Sequence, residues 1–220
     1  MTDAAAPRRN PSTLIFLLGA VVALSHLANE WVKAPIPWGP AWKCAGIAIL
    51  GLYALRERAI AVGLGLILSA VGDVLLELDG AFIGGMAAFG LAHVCYIAAF
   101  VGVIRRDGVS TAAWPIAALV LIISIGLGWW LMPGMSAEGL LIPATIYQVV
   151  ISAMVITAVM SKAPLMAKLG AAIFMLSDSL IAVGMFAKIA VIPGSVWITY
   201  AAAQIMLAWS MTHLPKRTVI

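Results

Sequence analysis

Two aspartates stand inside apolar runs of this sequence. Asp73 lies in SAVGDVLL and Asp178 lies in FMLSDSLI. A charged carboxylate at the centre of a bilayer costs about 2.5 to 3.5 kcal/mol even on lenient scales, so such residues usually face a bundle interior and mark a functional site. Two carboxyl groups in one low-dielectric site can divide the roles of proton donor and anion between them. The two aspartates are therefore the candidate catalytic residues.

Further polar side chains fall at a similar depth. If each apolar run crosses a membrane as a helix with a rise of 1.5 Å per residue, Asp73 lies roughly 7 Å and Asp178 roughly 3 Å outward of the midpoint of its span. The same slab holds the candidate substrate-binding residues Lys43, His93, Tyr96, Tyr147, Gln148, Tyr200 and Gln204. A cavity that opens toward the outer leaflet would satisfy these groups together.

A structural interpretation of the same residues stays open. Asp73 and Lys43 would then form an ion pair, and the Ser177 to Ser179 cluster would hold helices together by hydrogen bonds. Glu77, one turn after Asp73, is expected to be a residue at the membrane boundary, and His26 is expected to lie at the interface.

The composition indicates that these residues lie within a membrane protein. Hydrophobic residues make up 64% of the 220 residues and charged residues only 10%, against roughly 25% charged in a soluble domain. We predict an all-α, polytopic membrane bundle that forms one domain over residues 1–220, with a short cytoplasmic tail at residues 1–11. The net charge of +4 is interpreted as an orientation signal, because no basic stripe with interleaved aromatics indicates nucleic acid. Cys44 and Cys95 form no CxxC pair and predict no disulfide framework.

Eight spans are predicted from runs of about 20 apolar residues. The first is interpreted as a retained span and not as a secretory signal, because no A-x-A cleavage site follows it. The spans lie near 12–30, 40–56, 59–78, 81–104, 113–132, 140–160, 165–187 and 194–213.

The basic residues predict the orientation of these spans. Ten of the 13 Lys and Arg residues fall on one side, and the positive-inside rule places that side, with both termini, in the cytoplasm. These ten are Arg8, Arg9, Arg56, Arg58, Arg105, Arg106, Lys162, Lys168, Lys216 and Arg217. Six tryptophans are expected near the outer interface: Trp31, Trp38, Trp42, Trp129, Trp130 and Trp197. The expected location is the inner membrane of a bacterium.

A weak internal repeat relates the two aspartates. The segment around Asp73 is echoed 105 positions later around Asp178, and an offset of 104 carries Tyr96 onto Tyr200. Spans 1–4 and 5–8 are then two parallel four-helix halves, with the aspartates on equivalent helices. Chance similarity between apolar helices is the alternative.

Four motifs together resemble one known family. SAVGDVLL, FGLAHVCY, FMLSDSLIAV and TYAAAQ, in this order and spacing, are similar to the YhhN family, and the resemblance runs from about residue 40 to residue 212. It implies a lysoplasmalogenase: a membrane hydrolase that cleaves the vinyl ether bond of a lysophospholipid to a fatty aldehyde and a glycerophospho-alcohol. No nucleotide-binding loop is present, and we expect no cofactor, no metal, no nucleic acid and no obligate protein partner beyond membrane lipids.

Two other classes of protein remain as alternatives. A proton-coupled or small-solute transporter would also carry intramembrane aspartates. Against it, five prolines fall at predicted span ends, so the broken helices of many transporters are not expected: Pro115, Pro133, Pro143, Pro164 and Pro193. A metal-dependent hydrolase would need His26, His93 and an aspartate to form a zinc site.

Overall fold

Residues 11–32 and 39–214 are described by a computed structural model, and in these residues the secondary structure is helical without strands. The helices are α1 (Pro11–Ser25), α2 (Leu27–Val32), α3 (Gly39–Arg56), α4 (Ile60–Leu76), α5 (Phe82–Asp107), a 3-10 turn (Thr111–Ala113), α6 (Trp114–Ala137), α7 (Leu141–Met160), α8 (Leu165–Phe186) and α9 (Ser195–Thr212). The all-α membrane bundle predicted from the sequence is confirmed. Of the ten basic residues predicted on the cytoplasmic side, Arg8, Arg9, Lys216 and Arg217 lie outside the described residues, as does Trp38.

The eight predicted spans correspond to eight helical stretches within the described residues. Two of them differ in detail: a turn at His26 separates α1 from α2, and the fifth stretch continues to Ala137, beyond the expected end at residue 132. Five stretches are long and apolar enough to cross a membrane, namely Ser12–Asn29, Phe82–Asp107, Thr111–Ala137, Leu141–Met160 and Leu165–Phe186. Helices α3, α4 and α9 are shorter, at 18, 17 and 18 residues. The chain is an integral membrane protein, and its exact number of crossings stays a prediction.

Pro133 lies inside a helix, so its expected position at a span end is wrong. Helix α6 continues for one more turn, to Ala137. Proline has no backbone N–H, which leaves the carbonyl of Trp129 without its usual helical donor. A membrane helix tolerates this loss where neighbouring groups compensate for it. Helix α6 is continuous through Pro133, so the proline does not produce a broken helix.

Neighbouring helices pack closely because small residues occupy the crossings. A Cβ atom on Gly46 of α3 would lie 2.3 Å from the backbone nitrogen of Ala23 in α1, and one on Gly134 of α6 would lie 2.0 Å from the carbonyl oxygen of Phe186 in α8. Helices adjacent in the chain pack on each other in both predicted halves, and the contacts of α5 with α7 and of α3 with α9 join the halves. Large apolar side chains such as Ile122, Ile125 and Val149 remain exposed on the outside of the bundle, where lipid can cover them.

The two ends of the bundle differ in charge. One end carries the basic residues Arg56, Arg58, Arg105, Arg106, Lys162 and Lys168 at or beside helix ends. The opposite end carries Glu77, Asp79 and Glu138, with Lys188 bonded to Glu138 at 2.5 Å. This asymmetry is the one on which the predicted orientation depends.

Two residues expected near the interface are buried between helices, and their depth in the membrane stays a prediction. Trp197 is buried, and its indole N–H donates to the carbonyl oxygen of Ala23 at 2.8 Å, so it is a core residue. His26 is buried as well, with its ring between those of Trp42 and Trp197. Both belong to an aromatic cluster that closes the bundle between α1, α3 and α9.

Candidate functional site

Asp73 is held in the interior of the bundle by α4. Its exposed fraction is 3%, and its Oδ2 accepts a hydrogen bond from the Tyr200 hydroxyl of α9 at 2.7 Å. The preceding Gly72 permits this close packing, because a Cβ there would lie 2.6 Å from the ring of Phe89 in α5. The small residues around Asp73 in the motif therefore let α4 bury its carboxyl group against two other helices.

Asp178 is held by α8 among side chains from two further helices. Its Oδ2 accepts a hydrogen bond from the Tyr147 hydroxyl of α7. The Nε2 atom of His93 in α5 lies 3.4 Å from the same carboxylate oxygen and 3.0 Å from the Tyr147 hydroxyl oxygen. Asp178, Tyr147 and His93 thus form one polar cluster.

Each aspartate has one contact that crosses between the predicted halves of the chain. Asp73 in the first half meets Tyr200 in the last helix of the second half. Asp178 in the second half meets His93 in the last long helix of the first half. The two sets of contacts are not equivalent, because Tyr96, the counterpart of Tyr200 in the repeat, bonds to Gln204 and not to Asp178, and the repeat stays a prediction.

One cavity contains both aspartates. Its volume is about 200 Å³, and its polar lining includes Lys43, Asp73, Tyr147, Gln148, Asp178 and Tyr200. Most of the remaining wall is apolar, with Leu127, Leu131, Met135, Met185 and Phe186 among its residues. The cavity lies toward the end of the bundle that carries Glu77 and Glu138, in the half where the sequence predicts the polar slab.

Lys43 has a different partner from the one considered in the structural interpretation. Its Nζ lies 2.5 Å from Oε1 of Glu77, and the ammonium group is 5.9 Å from the centre of the Trp197 ring. Glu77 is therefore an ion-pair partner and not only a boundary residue. Asp73, in contrast, receives its hydrogen bond from a neutral phenol. The pairing of Asp73 with Lys43 is not observed.

Gln148 reaches the cavity from a hydrogen-bonded position on α7. Its amide nitrogen donates to the backbone carbonyl oxygen of Ser124 in α6. The Ser124 and Ser152 hydroxyl groups are hydrogen-bonded to each other at 2.5 Å. Gly128 leaves the space for this amide, because a Cβ there would lie 2.7 Å from Oε1 of Gln148. Gln148 is thereby fixed in its orientation.

Three of the predicted binding residues lie behind the cavity wall. Tyr96 and Gln204 are fully buried and are bonded to each other at 2.7 Å. His93 is also fully buried and contacts Asp178 and Tyr147. None of the three is among the residues that line the cavity. They can position the residues that do line it, but they do not reach its space.

The structure bears on the metal-dependent alternative. No group of three or more His, Cys, Asp or Glu side chains is close enough to hold a metal ion within residues 11–32 and 39–214. His26 lies in the aromatic cluster with Trp42 and Trp197, and not in a group of potential metal ligands.

Sequence reasoning missed the contribution of Trp197 to the cavity and of Ser124 to the placement of Gln148. Glu77 follows Asp73 by four residues and therefore lies on the same helix face. This spacing is the sequence signal that could have placed Glu77 in the site.

Known proteins resemble the chain over most of its length. The YhhN family model matches residues 38–211. A protein named Lysoplasmalogenase from Mycobacterium bovis (strain ATCC BAA-935 / AF2122/97) is 36% identical over 180 residues, which cover 76% of this chain and 68% of the relative. The protein Lysoplasmalogenase TMEM86B from Sus scrofa is 29% identical over 193 residues, which cover 80% of this chain and 79% of the relative. No solved structure matches the chain.

Proposed function

This chain belongs to the YhhN family, and from that premise we propose that it is a membrane-embedded lysoplasmalogenase. The family membership expected from the four motifs is confirmed. The proposed reaction is hydrolysis of the vinyl ether bond of a lysoplasmalogen to a fatty aldehyde and glycerophosphoethanolamine or glycerophosphocholine. The names of the bacterial and mammalian relatives support this activity, and they give the transporter alternative no support.

One structural observation carries the mechanism. Asp73 and Asp178 line the same largely apolar cavity, on helices α4 and α8. A vinyl ether is cleaved by transfer of a proton to its β-carbon, which produces an oxocarbenium-like cation at the α-carbon. Such a path needs a proton donor and an anion beside the cation, as a carboxylate pair provides in glycosidases. Among the residues that line the cavity, Asp73 and Asp178 supply the carboxyl groups.

The two aspartates have different surroundings, which suggests different roles. Asp178 contacts both a phenol and an imidazole, whereas Asp73 accepts one hydrogen bond and has almost no contact with solvent. The hydrogen bond from Tyr147 and the imidazole 3.4 Å away suit a carboxylate, because both can stabilise its negative charge. We assign Asp73 as the proton donor and Asp178 as the carboxylate that faces the cation and accepts a proton from water.

The atoms and protons then balance over the whole reaction. Asp73 gives its proton to the β-carbon, and water adds to the α-carbon while Asp178 takes a proton from that water. The hemiacetal collapses when its hydroxyl proton passes to the departing glycerol oxygen and the C–O bond breaks. One water is consumed, and transfer of a proton from Asp178 back to Asp73 through solvent restores the starting state. Tyr147, Tyr200 and Gln148 line the cavity and are placed to orient the water and the ether oxygen.

The apolar wall of the cavity suits the single chain of a lysolipid. Leu127, Leu131 and Met135 of α6 and Met185 and Phe186 of α8 all line it. Apolar side chains at these positions can bury the carbons next to the vinyl ether, at about 0.8 kcal/mol for each CH₂ group. The tail is proposed to lie among these side chains, with the headgroup at the charged end that carries Lys43.

We expect an alkenyl lysolipid to release aldehyde and a matched saturated alkyl lysolipid to release none. The alkyl ether has no carbon–carbon double bond at which protonation can produce the stabilised cation. Purified protein is incubated with each lipid, and the aldehyde is measured. Aldehyde from neither lipid, together with solute uptake in liposomes, would contradict the hydrolase and support the transporter.

We also propose that the protein lies in a bacterial inner membrane with both termini in the cytoplasm, so the cavity opens toward the outer leaflet. In a Cys44→Ala, Cys95→Ala background, the single-cysteine variants Asp79→Cys and Glu138→Cys are expected to react with an impermeant maleimide added to intact cells. A cysteine at Glu57, at the basic end, is the control and should react only after permeabilisation. The reverse pattern would show that the positive-inside reasoning has the orientation wrong.

A further inference from the structure

Three side chains from different helices meet at the charged end of the cavity. Lys43 comes from the first turns of α3, Glu77 follows the last residue of α4, and Trp197 lies in the first turn of α9. The Lys43 ammonium group bonds to Glu77 at 2.5 Å and lies 5.9 Å from the centre of the Trp197 ring. A carboxylate and an aromatic ring therefore already hold one primary ammonium group at this point.

The pair of Lys43 and Glu77 differs from the other pair at the same end of the bundle. Lys188 and Glu138 have side-chain exposed fractions of 68% and 38% and do not line the cavity. The side chain of Lys43 is only 18% exposed and does line it, whereas that of Glu77 is 41% exposed. Lys43 and Glu77 thus connect the inside of the cavity with the membrane surface. An ion pair this close to solvent contributes about 0 to 1 kcal/mol, so a ligand of suitable charge can separate it.

The order of groups along α4 matches the order of groups in the substrate. Glu77 follows Asp73 by four residues, which is about 6 Å along the helix axis. In a lysoplasmalogen the glycerol backbone separates the vinyl ether from the phosphate, and the amine lies beyond the phosphate. With the vinyl ether at Asp73, the phosphate and amine are directed toward Lys43 and Glu77.

We propose that Lys43, Glu77 and Trp197 form a binding site for a zwitterionic phosphoethanolamine or phosphocholine headgroup, an inference that rests on the proposed function. On binding, Lys43 exchanges Glu77 for the phosphate, and Glu77 with the face of Trp197 holds the ammonium group of the lipid. Each charge of the protein keeps a partner after the exchange. A headgroup with a phosphate and no amine leaves Glu77 unpaired beside a second anion, which disfavours its binding.

The test compares two alkenyl lysolipids, one with a phosphoethanolamine headgroup and one with a phosphate alone. Glu77→Gln is expected to lower kcat/KM about tenfold for the ethanolamine lipid, chiefly through KM, because a charge-assisted contact is lost. The same variant should leave kcat/KM for the phosphate lipid unchanged or raise it. Lys43→Met should lower kcat/KM for both lipids. Glu138→Gln is the matched control and should change neither.

Some outcomes would overturn the headgroup site. An equal loss on both lipids would give Glu77 a structural role, and no loss on either lipid would remove it from substrate binding. A binding experiment separates these outcomes from failure of the proposed function. Saturated alkyl lysolipids with the same two headgroups are added to the wild type and to Glu77→Gln, and the rise in melting temperature is measured. The wild type should prefer the ethanolamine lipid and the variant should not, whether or not the protein hydrolyses vinyl ethers, and the absence of this difference would contradict the site.

Discussion

Asp73→Asn and Asp178→Asn are each expected to lower turnover of an alkenyl lysolipid by about 10² or more, the usual size of a lost acid–base contribution. Asparagine has nearly the shape of aspartate and can still accept the hydrogen bonds from Tyr200 or Tyr147. It has no proton to give to a vinyl ether carbon and no negative charge to place beside the cation. The loss should therefore be in kcat more than in KM.

The same two variants should keep or gain thermal stability. Each replaces a costly carboxyl group in the membrane interior by a neutral amide. Asp73→Asn does not leave Lys43 without a partner, because Lys43 is bonded to Glu77. The measurement is melting temperature and aldehyde release on the same preparations. Asp79→Asn, on an exposed aspartate at the same end of the bundle, is the control that should remain active.

Two results would contradict this mechanism. Well-folded and fully active Asp73→Asn and Asp178→Asn proteins would show that neither carboxyl group does the chemistry. A large fall in melting temperature with activity retained in the folded fraction would show that the aspartates hold the helices together, as the structural interpretation requires.

Gly134→Ala is expected to lower the melting temperature and the activity together. The added Cβ would lie 2.0 Å from the carbonyl oxygen of Phe186, which is backbone, so α6 and α8 must move apart. Overpacking of this kind costs about 1 to 3 kcal/mol or more. Both helices line the cavity, with Leu131 on α6 and Asp178 on α8, so their separation also displaces the carboxyl group proposed to take part in catalysis.

Gly126→Ala is the matched control on the same helix. Its added Cβ meets no atom within 4 Å, and alanine favours a helix by about 1 kcal/mol over glycine. Melting temperature in detergent and aldehyde release are measured for both variants. If Gly134→Ala is as stable and active as Gly126→Ala, the close crossing of α6 and α8 is not what shapes the site.

The sequence predicted the helices well because the membrane constrains them strongly. In lipid each backbone polar group must be satisfied within the segment, so a run of apolar residues becomes a helix with few alternatives. The expected starts and ends agree with α3, α7 and α8 to within a few residues. Pro133 is an exception, because proline near the end of an apolar run predicts a helix terminus, whereas α6 accommodates it and continues for one turn.

The depth of the polar residues in the bundle could also be predicted from the sequence, since it depends only on the position in the helix and on the rise per residue. Asp73, Asp178, Tyr147, Gln148 and Tyr200 do share one cavity, as that argument expected. The direction in which each side chain points could not be predicted in the same way. Tyr96 and Gln204 have a suitable depth, but they bond to each other behind the wall.

The sequence by itself thus determined that the chain lies in a membrane, where its helical segments are, how deep the two aspartates lie and to which family it belongs. Only the tertiary structure decided which side chains meet: Tyr200 with Asp73, Tyr147 and His93 with Asp178, and Glu77 with Lys43. The physical reason is that hydropathy and length describe one helix in lipid, whereas the rotation of a helix and the choice of its neighbours depend on packing between helices. That packing is set by close crossings such as Gly46 on Ala23 and Gly134 on Phe186, which join residues far apart in the chain.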